Sequence, residues 1–75
     1  MFRNTYEFTV ANEHRLTILS IMETLVELRE IRKVDLLCLD NLDIQVTFKA
    51  NKKELDKVIT ALNKYGIGKA KVVWI

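Results

Sequence analysis

Few side chains in this 75-residue sequence are of the kinds that do chemistry, and their spacing limits what that chemistry could be. There is one histidine, His14, and one cysteine, Cys38. A zinc site of the usual kind takes four Cys, His or carboxylate ligands, so this pair of soft ligands is too small to build one. His14 falls in the first turn of a predicted helix, where an imidazole is ordinarily exposed and inert. Cys38 lies in an apolar stretch and is expected to face inward with Val34 and Leu36 as a small hydrophobe. Asp35, Asp40 and Asp43 flank a predicted hairpin, and turn formation accounts for them more simply than a weak cation site. Both glycines, Gly66 and Gly68, fall together after the second helix, so no phosphate-cradling loop exists. No catalytic residue, metal ligand or cofactor is assigned, and an enzyme is not expected.

Charge and composition narrow the remaining classes. Twelve basic and ten acidic residues leave a net charge of +2, too small and dispersed for a nucleic-acid footprint. RNA binding by a sheet of this size requires aromatics on its open face. Here Tyr6, Phe8 and Phe48 alternate with polar residues and fall with the aliphatics that must pack on helices. No apolar run reaches the ~20 residues that span a bilayer, so the expected setting is cytoplasmic. A lone cysteine fits a reducing compartment. With 49% hydrophobic residues, two Gly and no Pro, residues 1–75 read as a single domain without linkers.

The elements that must position these residues follow from periodicity. Residues 5–10 alternate strictly, placing Tyr6, Phe8 and Val10 on one face. Asn12 suits a helix N-cap, with Glu13 beside the positive end of the helix dipole. The helix runs to about residue 29. At about 100° per residue its apolar side chains, including Ile18, Met22 and Leu25, cover an arc of about 180–240°, where a one-sided surface helix needs only about 100°. Thr17, Ser20, Thr24 and Glu27 form the narrow polar stripe opposite. Residues 34–39 form a second strand with Leu37 and Leu39 on the face opposite Val34, Leu36 and Cys38. After a turn at Asp40 and Asn41, residues 42–49 alternate cleanly, with Leu42, Ile44, Val46 and Phe48 inward. Asn51 and Glu54 have capping-box spacing, so a second helix runs over about residues 52–65 and stops at Gly66. Residues 69–75 form the last strand, with Ala70, Val72 and Trp74 on one face.

This β-α-β-β-α-β order predicts an α+β, ferredoxin-like sandwich: a four-stranded antiparallel sheet in the order four, one, three, two, with both helices on one face. Strands two and four are then the edges. Leu37 and Leu39 on an edge strand, next to the surplus apolar flank of the first helix, predict an interface between two copies of the chain. The expected contact residues are Leu37, Leu39, Ile18, Met22 and Leu25, and the expected partner is a second copy.

At the first strand–helix junction, Val10-Ala11-Asn12-Glu13 resembles the start of the ACT domain, a small regulatory module whose usual text there is Asn-x-Pro-Gly. The length and element order agree. The resemblance implies pairing through strand two and helix one, and an amino-acid ligand held near Asn12, Glu13 and His14. Here His14-Arg15 stands in place of Pro-Gly, and the missing glycine removes the close backbone approach that such a ligand uses. The Tyr-x-Phe start and the Val72-Val73-Trp74 finish also resemble the ACT-like cytosolic domain at the C-terminus of MgtC/SapB-type membrane proteins, a family linked to magnesium homeostasis. That likeness implies a hydrophobic bundle ahead of residue 1 and no chemical motif within the domain.

Overall fold

The computed structural model, which describes residues 2–75, arranges four strands and two helices along the chain. β1 (Asn4–Val10) leads through a 3-10 turn (Asn12–His14) into α1 (Arg15–Glu27), and β2 (Arg32–Cys38) and β3 (Ile44–Ala50) follow. α2 (Lys52–Lys64) and β4 (Val73–Trp74) complete the order. The strands form one sheet in the order β2-β3-β1-β4, and every neighbouring pair is antiparallel.

Alternation decides which face of the sheet is buried. Ile44, Val46, Phe48 and Ala50 of β3 are at most 4% exposed, while the intervening Gln45, Thr47 and Lys49 are half-buried on the open face. Phe8 and Val10 of β1 join the buried side, and Ile18, Ile21, Met22 and Leu25 of α1 and Val58 and Leu62 of α2 complete one apolar cluster. Each such large side chain contributes about 1.5–3 kcal/mol on burial. Phe48 sits at the centre, stacked on Tyr6 at 5.7 Å and met edge-on by Phe8 at 6.1 Å. The predicted inward placement of these aromatics therefore holds.

Both helices end in the same way. Beyond α1, the Arg29 amide donates to the Val26 carbonyl and the Glu30 amide to the Leu25 carbonyl; beyond α2, Gly66 donates to Asn63 and Ile67 to Leu62. This double bond satisfies carbonyls left open by the last turn, and it needs a left-handed residue just past the cap.

Several boundaries differ from the sequence expectation. Asn12 is not a cap: it lies inside the 3-10 turn, Ala11 holds the preceding position, and no side-chain bond closes either this turn or the start of α1. Leu42 is not an inward strand residue. It is 59% exposed with φ 71°, part of a loop closed by Leu39 donating to Asp43 and accepting from Leu42. The last strand contracts to two residues, since turns occupy the chain between Gly66 and Ala70. β2 starts earlier and carries a bulge: Arg32 lies opposite Lys49 and Asp35 opposite Thr47, so one extra residue is inserted, with Lys33 at φ 51°.

Candidate functional site

The width of α1's apolar arc gives it two working flanks, and the flank toward β2 is left open. Cross-strand partners share a face, so Leu36 opposite Val46 and Cys38 opposite Ile44 point to the helix side, while Leu37 opposite Gln45 points to the open side. α1 packs beside β2 without closing onto it. A groove of about 350 Å³ remains between them, with Leu19, Met22 and Val26 on the helix wall and Val34 and Leu36 on the strand wall. Glu23 and Glu27 line its rim. Leu19 (42%), Val26 (43%), Leu36 (37%) and Leu37 (57%) all keep substantial exposure. β2 is also an edge strand, so one side of its backbone has no strand partner.

The expected contact residues differ in exposure within the single subunit. Ile18 and Leu25 are 0% and 8% exposed and belong to the core of the single subunit, while Met22, 1% exposed, belongs to the core and also lines the groove. The helix instead presents Leu19 and Val26, one position on from Ile18 and Leu25, because the arc is wide enough to serve core and surface together. Leu37 is exposed as expected, whereas Leu39 lies beyond the strand in the hairpin loop and is half-buried. Cys38 is exposed rather than inward-packed, at the end of the edge strand beyond the part that lines the α1 groove; its thiol sits 3.7 Å from the Leu39 carbonyl oxygen.

Asn12, Glu13 and His14 share the 3-10 turn, with Asn12 and Glu13 exposed and His14 half-buried. His14 Nε2 lies 3.8 Å from Glu13 Oε1. None of the three lines the α1–β2 groove or the larger groove between the helices. Asn41 and Asp43 bond to one another across the hairpin loop, the side-chain amide donating to Asp43 Oδ2 at 3.2 Å and Asn41 Oδ1 accepting the Asp43 amide at 3.1 Å. Among the described residues no group of three or more His, Cys, Asp or Glu is placed to hold a metal, and no helix is long and apolar enough to cross a membrane.

One polar cluster escaped the sequence reading in part. Glu54 completes the expected capping box, accepting from the Asn51 amide at 2.8 Å while its own amide donates to Asn51 Oδ1 at 2.9 Å. Arg3 adds a fork, with Nε donating to Oε1 at 3.1 Å and Nη2 to Oε2 at 3.2 Å. Partial burial pushes the Glu54 carboxyl up, but the Asn51 amide, Arg3 and the charge of Arg32 outweigh it and hold the group below the usual carboxylate value. No local pattern joins residues 51 positions apart, so the Arg3 partner was invisible in the sequence. The cluster fastens the chain before β1 to the start of α2, which is a structural duty.

No family model, curated protein or solved structure matches this chain.

Proposed function

We propose that this chain is a non-enzymatic regulatory or oligomerisation module, ferredoxin-like and similar to ACT domains, that pairs with a second copy through β2 and the adjoining flank of α1. Taken from the β4 edge, the strand order is four, one, three, two, which supports the ferredoxin-like reading. The observation that carries the functional reading is the combination at β2 of an unpaired edge with an apolar groove beside it. Antiparallel pairing of two β2 strands about a two-fold axis would satisfy the free backbone groups and bring Leu19, Val26 and Leu36 of each copy together. Because Asn12, Glu13 and His14 lie outside both grooves, the reading rests on pairing and not on amino-acid sensing. If the likeness to the MgtC/SapB-type cytosolic domain extends to the whole protein, such pairing would join membrane-bound subunits on their cytosolic side.

Sedimentation velocity over about 5–500 µM tests this directly, a range that brackets the weak to moderate affinity of a small interface. The wild-type chain is expected to shift toward a dimer as concentration rises. The double variant Leu36→Lys/Leu37→Glu is expected to stay monomeric with an unchanged far-UV circular dichroism spectrum, since both side chains are surface-exposed. A wild-type chain that remains monomeric throughout would remove the proposal.

A further inference from the structure

The other flank of α1 carries an independent feature. Because β1 and β3 are antiparallel and each is followed by its helix, α1 and α2 run in opposite directions. Between them lies a groove of about 680 Å³, within the range of small-molecule sites. Its floor is apolar, built from Ile21, Leu25 and Ala61. Hydroxyl groups line the walls: Thr17, Ser20 and Thr24 from α1 and Thr60 from α2. The polar stripe of α1 thus faces a groove wall and not open solvent alone.

Charge divides sharply between the two flanks. The interhelical groove is lined by Lys57 and Lys64 and by no carboxylate among the described residues, whereas the α1–β2 groove is lined by Glu23 and Glu27 and by no base. The two lysines are not equivalent. Lys57 is held by Glu30 at 2.5 Å, which neutralises the charge at one end. Lys64 has no carboxylate partner among the described residues and lies 5.7 Å from the centre of the Tyr65 ring, at the end where the exposed Leu16 also sits. From Lys57 to Lys64 the groove follows α2 for about 10 Å.

We infer that this interhelical groove is a binding site for an amphipathic anion, a medium-chain acyl carboxylate whose head group meets Lys64 and whose chain lies over Ala61, Ile21 and Leu25. An eight-carbon chain matches the available length. A neutral chain of equal length would gain the apolar floor but not the unneutralised ammonium, so charge is the selective feature.

Amide chemical-shift titration of the full chain with sodium octanoate below its micelle concentration, and with 1-octanol as the neutral control, tests the site. Saturable shifts are expected at Thr17, Ser20, Thr24 and Ala61, with octanoate at least fivefold tighter than octanol. Lys64→Glu is expected to weaken octanoate at least tenfold and leave octanol unchanged, while Lys64→Arg retains most of the affinity. Ser20→Phe, which fills the groove from the exposed side, is expected to weaken both. Equal binding of octanoate and octanol, indifference to Lys64→Glu, shifts centred on Leu19, Val26 and Leu36, or no saturable binding would each overturn the inference. The pairing proposal is unaffected by any of these outcomes, because it uses the opposite flank of α1.

Discussion

Arg29 at φ 58° and Gly66 at φ 76° hold the same position, one residue past the caps of α1 and α2, and make the same pattern of amide bonds. Only glycine adopts that backbone region without a Cβ penalty. α2 therefore ends with the residue its geometry favours, and α1 does not. The Arg29 side chain is exposed, so little packing is at stake. Arg29→Gly is expected to stabilise the fold by about 0.5–1 kcal/mol after the extra unfolded-state entropy of glycine is counted. Gly66→Ala should cost about 1 kcal/mol, although nothing lies within 4 Å of the added Cβ. In a domain this small each kcal/mol moves the midpoint by about 4–8 °C, so thermal unfolding of the two variants should shift in opposite directions. A fall in midpoint for Arg29→Gly would mean that the guanidinium contributes more than the backbone strain costs.

Elements were legible in the sequence to the extent that their determinants were local. The strict alternation of residues 44–50 fixes β3, the Asn51/Glu54 spacing sets the start of α2, and Gly66 marks its end; all three depend on residues within a turn of one another. The bulge at Lys33 was not legible, because a left-handed lysine has no sequence signal and the extra residue shows only against Lys49 and Thr47 of β3. Leu36 and Cys38 share the expected inward face of β2, and Trp74 that of the last strand, but at a sheet edge these side chains stay exposed. The open flank beside β2 has a local signal in the width of the α1 apolar arc, but which helix residues the core takes up depends on packing, and Ile18 and Leu25 are buried while Leu19 and Val26 stay exposed. The Glu54 cluster shows an element held by both local and distant groups, and its energetics depend on pH in a defined sense. A carboxyl whose folded value lies below its unfolded value of about 4.5 contributes fully above that pH and loses its contribution as pH falls through the folded value. Glu54→Gln should therefore destabilise the chain at pH 7, by about 1 kcal/mol from the weakened cap and the lost charge-assisted bonds. The difference from wild type should shrink steadily below about pH 4.5, which denaturant titrations at several pH values would reveal. A constant difference down to pH 2.5 would show that the carboxylate charge contributes nothing.

At the scale of the whole molecule the two sheet edges are managed differently. β4 is two residues long, and the adjoining Ile75 amide donates to the Thr5 carbonyl at 3.0 Å, so this edge offers little backbone to a newcomer even though Trp74 is 74% exposed. β2 is seven residues long, apolar at its C-terminal end in Leu36, Leu37 and Cys38, and flanked by a groove. A short edge offers few free backbone groups and a longer one offers more, so β2 is the edge at which the proposed pairing would form. Nature supplies a reporter on each side: the chain's one cysteine, Cys38, is exposed on the β2 edge, and its one tryptophan, Trp74, is exposed on the β4 edge. Pairing through β2 should slow the reaction of Cys38 with a bulky disulfide reagent several-fold as concentration rises, while acrylamide quenching of Trp74 stays constant. In Leu36→Lys/Leu37→Glu both readouts should be independent of concentration. Protection of Trp74 with Cys38 left reactive would transfer the interface to the opposite edge, where β4 is too short to hold it by backbone pairing and Trp74, Val73 and Ile75 would have to bind through their side chains alone.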